Sequence, residues 1–216
     1  MTARPWDEFY ERWIAAGEAE GIDPNDVGDR EWGDPTAHVE RHYLPQIGPD
    51  SVVLELGPGT GRITRHVIGR CRELILVDYS RFACEWLERY LEDRGRFRVH
   101  AIDGPALPEV ADNSVDFAFA FGVFEHIGPE DMLGFLEELH RVLVPGGRAS
   151  FNFDNVMSAG GIEWLRYWRG RSSAPSAFRF YHPETVVRLA EVAGFTVADL
   201  RTDESRHADL DLLKSG

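Results

Sequence analysis

The chain has 216 residues, 43% hydrophobic and 28% charged, with a formal net charge of −14 at neutral pH. That make-up suits one soluble α/β-sized domain with a full core, and no apolar run nears the roughly 18 residues of a membrane helix. The excess of 37 Asp plus Glu over 23 Lys plus Arg would repel a phosphate backbone, so neither membrane nor nucleic acid is an expected partner.

The N-terminus is charged early and lacks the apolar block of a secretory signal. Cys71 and Cys84 are scattered, as in a reduced, cytoplasmic protein, and no histidine or carboxylate spacing indicates a metal. Residues 1–47 read as a helical cap segment. Trp6, Phe9, Tyr10 and Trp13 recur at spacings of three and four, an aromatic stripe on one helix face. The stretch 21–35 is dense in turn formers and reads as a loop. A short helix is expected from Pro35 to Pro45.

From Ser51 the pattern alternates. Buried strands are expected at "SVVLEL", "ELILVDYS", "RFRVHAID", "SVDFAFAFGVF" and "RASFNF", with helices between most of them. The clearest helix is "PEDMLGFLEELHRVLVPGG". Pro129 suits its first turn, and Met132, Leu136, Leu139 and Leu143 supply its buried stripe. A helix at "HPETVVRLAEVAG" and strands at "FTVADLR" and "HADLDLLKS" complete the chain. This order predicts a doubly wound, mostly parallel sheet with helices on both faces.

In such sheets ligands lie at the carboxyl ends of the strands, where the strand order reverses. Gly57, Gly59 and Gly61 follow the first strand directly, a pattern that permits close backbone approach to a ligand or a tight strand-to-helix turn. Asp78 closes the second strand, where its two oxygens suit a pair of ribose hydroxyls or, alternatively, a helix start. Asp103 and Gly104 close the third and could meet an adenine edge or form a plain turn. A dinucleotide fingerprint would place its third glycine at position 62, which is Arg62. Glu55 at the strand end would repel a pyrophosphate and favour a cation.

Taken in order, "LELGPGTG", Asp78, "IDG", "DFAFAFGVFEHI" and "RVLVPGG" resemble the motif series of class I S-adenosylmethionine-dependent methyltransferases. The resemblance covers about residues 50–200. It implies a Rossmann-like sheet, usually of seven strands with the last antiparallel, and S-adenosylmethionine as cofactor. It implies that Gly57, Gly59 and Gly61, with Glu55 beside them, cradle the methionine part. Asp78 and its neighbour Tyr79 would serve the ribose, Asp103 and Gly104 the adenine. Phe121 and Gly122 would lie along the cofactor near its methyl group. The N-terminal helix and the segment after the fifth strand would shape the acceptor pocket.

The expected activity is methyl transfer to an oxygen or nitrogen of a small-molecule acceptor by a domain spanning 48–216. His126, just past the fourth strand, is the candidate base or acceptor-orienting group. The connection at 154–181 is long for a strand-to-helix loop and rich in aromatics and arginines, as a pocket for an acceptor bearing an anionic group would be. Trp164, Trp168, Arg179 and Tyr181, with Tyr10 and Trp13 of the cap, are the candidate substrate residues. An NAD-type oxidoreductase and a non-catalytic cofactor-binding protein are the competing readings.

Overall fold

The computed structural model describes residues 4–171 and 178–216, in two structural units that meet in the chain at Asp103 and Gly104. Both are α/β. No helix of the described residues is long and apolar enough to cross a membrane.

The first unit opens with α1 (Arg4–Glu20) and α2 (Pro24–Trp32). Helix α2 occupies part of the stretch expected to be a loop. Its turn formers are start signals: the Asp23 side chain accepts from Asn25 N–H at 2.8 Å, and Pro24 takes the first turn, where its missing N–H costs nothing. A broken helical passage follows, as α3 (Thr36–His38), a π-helical turn (Val39–Tyr43) and a 3-10 turn (Leu44–Gln46).

Strands β1 (Val52–Leu56), β2 (Glu73–Asp78) and β3 (Phe97–Ala101) are parallel, in the order β3-β2-β1. All five residues of β1 are buried, as its unbroken apolar run requires. Between β1 and β2 the expected helix shrinks to α4 (Thr64–Val67), with Gly69 at φ +79° soon after it. Helix α5 (Arg81–Tyr90) buries Ala83, Cys84 and Leu87; Ser80 caps it, accepting from Ala83 N–H at 2.9 Å.

The second unit contains β4 (Val115–Ala120), α6 (Pro129–Val142), β5 (Leu143–Asn155), α7 (Ala159–Trp168), β6 (Phe180–Tyr181), α8 (Pro183–Val192), β7 (Phe195–Thr202) and β8 (His207–Lys214). β4 and β5 are parallel, and β8 runs antiparallel to both β5 and β7. The expected antiparallel last strand is therefore present, and the two-residue β6, parallel to the end of β5, is additional to the seven expected. α6 buries Met132, Phe135, Leu136, Leu139 and Val142, while Leu143 already belongs to β5. The fold class is α/β with mostly parallel strands.

Candidate functional site

The turn after β1 needs its glycines. Gly57, Gly59 and Gly61 have φ of +70°, +57° and +95°, a region that costs any residue with a Cβ. Each is also set by a neighbour. Gly57 N–H continues the strand pairing to Val77 O at 2.8 Å. A Cβ on Gly59 would stand 2.9 Å from the Tyr10 ring, and one on Gly61 would stand 3.1 Å from Leu87. The alternation of glycines thus combines a left-handed turn with close approach by α1 on one side and α5 on the other.

Asp78 organises this turn. Its Oδ2 accepts from Gly59 N–H at 3.0 Å and its Oδ1 from Ser80 N–H at 2.8 Å. The residue is 5% exposed, and burial pushes its carboxyl up to about 6 despite those hydrogen bonds. Ser80 Oγ also donates to Asp7 of α1. Asn25 and Thr60 bond each other twice, through Thr60 Oγ1 to Asn25 Oδ1 at 2.8 Å and Asn25 Nδ2 to Thr60 O at 3.2 Å. The cap helices are thereby tied to the glycine turn.

Glu55 differs from the expectation in its charge. It is 2% exposed, Thr64 Oγ1 donates to its Oε2 at 2.7 Å, and burial raises its carboxyl to about 8. At neutral pH burial keeps it mainly protonated, so it does not present the charge expected to repel a pyrophosphate.

Tyr10 is brought to the glycine turn, but Trp13 is not. Trp13 packs on Gly28 of α2 and its Nε1 donates to Glu31 at 3.0 Å. Tyr79 is half-buried beside Asp78, and Asp103 is exposed at the end of this unit.

In the second unit, Gly104 has open space where a Cβ would stand. Phe121 and Gly122 follow β4 directly, and Gly122, at φ +70°, donates its N–H to Asn152 Oδ1 at 2.8 Å. The next turn, a 3-10 helix over Phe124–His126, brings His126 within 4.6 Å of the Phe178 ring. Phe178 lies 5.6 Å from Trp164 and 4.7 Å from Trp168, so the aromatics of α7 gather beside His126. Tyr181 Oη donates to Ile127 O, and burial pushes its hydroxyl up to about 12, so it acts as a fixed neutral donor. Arg179 holds Glu125 O through its backbone N–H at 2.6 Å, with its side chain exposed. His182 caps α8, its Nδ1 accepting from Glu184 N–H at 3.2 Å. Residues 172–177 of the expected pocket segment lie outside the described residues.

One cluster had no signal in sequence spacing. Glu125, Asp154 and His207 offer three ligand atoms within 4.8 Å of one another. Arg206 bonds both acids, Nη2 to Glu125 at 3.0 Å and Nε to Asp154. The members come from the turn after β4, from β5 and from the β7–β8 hairpin, which no local pattern connects.

The family model for the methyltransferase domain matches residues 53–147, from β1 to the start of β5. Residues 53–147 belong to that methyltransferase domain family. A curated relative, ribosomal RNA small subunit methyltransferase A of a Synechococcus strain, is 33% identical over 78 residues, which span 34% of this chain and 27% of that protein. Among solved structures, a possible histamine N-methyltransferase from Thermotoga maritima superposes over the full length of both chains, at 20% identity and a TM-score of 0.69. A Haloferax volcanii methyltransferase in complex with the activator Trm112 is 19% identical with a TM-score of 0.68, over 96% of this chain and 98% of that one. These likenesses show the fold.

S-adenosylmethionine is the cofactor that membership implies, and the methyltransferase's first unit fits it. A turn of left-handed glycines lies beside a buried carboxylate, Asp78. Asp78 accepts from the Gly59 and Ser80 backbone N–H groups, with the Tyr79 N–H also directed at it, which leaves acceptor capacity for a hydroxyl donor.

Proposed function

We propose that this methyltransferase moves a methyl group from S-adenosylmethionine to an oxygen or nitrogen of a small-molecule acceptor. The observation that carries the reading is Asp78, buried at the end of β2 and bonded to Gly59 of the glycine turn. Asp78 and Tyr79 would hold the ribose, Asp103 and Gly104 the adenine, and Gly57, Gly59 and Gly61 the methionine part. Glu55 would face that cationic end, where a bound positive charge favours its ionised form.

When bound, the cofactor supplies an electrophilic methyl on a sulfonium. The chain must then orient the acceptor, exclude water and take a proton. His126 is the assigned base: its imidazole receives the proton that an acceptor O–H or N–H gives up as the new bond forms. The aromatic rings of Trp164, Trp168 and Phe178 beside it supply an apolar wall. Tyr181, its hydroxyl proton already given to Ile127 O, would line the acceptor region as a fixed wall. Residues 1–47 act as a cap on a catalytic domain spanning 48–216, with 154–181 as its acceptor segment.

The charge of −14 argues against an RNA acceptor. Two free cysteines suit the cytoplasm. The test is transfer of labelled methyl from S-adenosylmethionine to a panel of hydroxyl- and amine-bearing small molecules, with ribosomal RNA as a parallel acceptor. Label entering a small molecule and depending on His126 supports the reading. Label entering only RNA overturns the acceptor class.

A further inference from the structure

Helix α1 is held differently along its two halves. The C-terminal half is fixed on α2: Trp13 and Ile14 are 6% and 7% exposed, and a Cβ on Gly17 would stand 2.9 Å from Pro24. α2 is in turn fixed to the glycine turn and its flanks. Asn25 and Thr60 bond each other while buried, Arg62 Nε donates to Asp29 at 2.7 Å, Arg65 Nη1 to Asp26 at 2.7 Å, and Tyr90 Oη to Asp23 at 2.7 Å. Separating α2 from the turn would strand several of these polar groups at once, which is costly.

The N-terminal half of α1 is packed less deeply. Trp6, Asp7, Phe9 and Tyr10 are all half-buried. This half reaches the glycine turn through two side chains. Tyr10 lays its ring edge and its hydroxyl on Gly59, 2.9 and 3.1 Å from the place of a Cβ. Asp7 accepts a hydrogen bond from Ser80 Oγ, on the residue whose N–H bonds Asp78. Trp6 stacks on Tyr10 with ring centres 6.1 Å apart, so the two rings move as one pad. A half-buried helix end of this kind opens locally without unfolding the unit that carries it.

The contact falls on a residue that the cofactor needs. The space freed by the missing Cβ of Gly59 is what permits close backbone approach, and Tyr10 takes that space. We propose that the N-terminal half of α1 is a self-blocking arm: Tyr10 rests on Gly59 where the methionine part of the cofactor would lie, Asp7 latches the arm to Ser80, and cofactor binding lifts it. The inference rests on the reading of the glycine turn as the cofactor site. Lifting the arm breaks the Ser80–Asp7 bond and the ring contact together, while Trp13 and Ile14 keep the helix attached. The apparent affinity for the cofactor is then reduced by the fraction of chains whose arm is lifted.

The test is titration of the full chain with S-adenosylhomocysteine, by calorimetry and stopped-flow, in the unaltered protein and in Tyr10→Ala, Tyr10→Phe and Asp7→Ala. Tyr10→Ala and Asp7→Ala are expected to bind at least about fivefold more tightly, through faster association, while Tyr10→Phe keeps the ring and stays within about twofold of the unaltered protein. Hydrogen exchange on the unaltered protein needs no variant and covers a substitution that disturbs folding. Saturating ligand should speed exchange of the amides of residues 8–13 and slow that of residues 57–61. Weaker binding in Tyr10→Ala and Asp7→Ala, or slower exchange at residues 8–13 on binding, overturns the proposal and makes α1 a lid that closes on the ligand. Unchanged affinity in both variants, with unchanged exchange in α1, overturns it as well. Binding to the unaltered protein without the expected changes thus contradicts the arm alone, whereas no binding to any of the four proteins contradicts the cofactor reading and the arm with it.

Discussion

Asp78 and Gly59 are joined across the first strand-to-helix turn, the carboxylate accepting the glycine N–H at 3.0 Å. The bond makes Asp78 a shaper of the turn as well as a buried carboxylate beside it. Hydrogen bonds to a charged acceptor are worth about 1.5–3 kcal/mol. Replacing Asp78 by Ala is expected to weaken S-adenosylmethionine and S-adenosylhomocysteine alike, by roughly 10–100-fold, since both carry the same ribose. Calorimetry with both ligands checks it; an unchanged affinity for either removes the ribose role.

Gly59 is held by conformation and by a neighbour. At φ +57°, with the Tyr10 ring 2.9 Å from the place of a Cβ, Gly59→Ala meets two obstacles. The left-handed conformation alone costs about 1–2 kcal/mol. The double variant with Tyr10→Ala should lose less than the sum of the single variants, because only the ring contact is relieved. Denaturant unfolding of the four proteins measures that coupling, and strict additivity would mean that the ring yields freely.

Gly28 tests the cap by itself. A Cβ there would stand 2.6 Å from the Trp13 ring, inside the α1–α2 contact. Gly28→Ala should destabilise by about 1–3 kcal/mol, as overpacking does. A melting temperature equal to that of the parent protein would show that α1 is not fixed on α2.

Glu55 gives a pH dependence with a definite sign. Its folded value of about 8 lies above the ordinary value of 4.5, so the folded state holds a proton that the unfolded state releases between them. Stability from this group is full below about 4.5 and is lost as the pH rises through about 8, with a limiting slope of about 1.4 kcal/mol per pH unit. Asp78 and Asp209, each raised to about 6, act in the same direction but only over the lower part of that window. Glu55→Gln should therefore remove that slope between about pH 4.5 and 8, leaving only the contribution of groups such as Asp78 and Asp209 below about 6. Unfolding free energies across pH 5 to 9 decide this; an unaltered curve would mean that Glu55 is ionised in the fold.

What was legible in the sequence was whatever depends on neighbours along the chain. α6 shows itself through Pro129, the acidic first turn and the spacing of Met132, Leu136 and Leu139. The glycine turn and Asp78 are readable because strand ends and tight turns are local. α2 was lost because Asp23 and Pro24, which start it, are also turn formers, and the choice depends on packing against Trp13 and Thr60. Glu55 is legible as the acid near the end of β1, but its protonation is not, since that follows from burial. The Glu125, Asp154, Arg206 and His207 cluster draws on a turn, a strand and a hairpin, so only the folded chain reveals it.

The most direct measurement is titration of the purified, unaltered protein with S-adenosylhomocysteine, with NAD in a parallel cell. The account predicts saturable one-to-one binding of the first and none of the second. No heat and no shift in melting temperature at saturating S-adenosylhomocysteine, or tight binding of NAD, would contradict it.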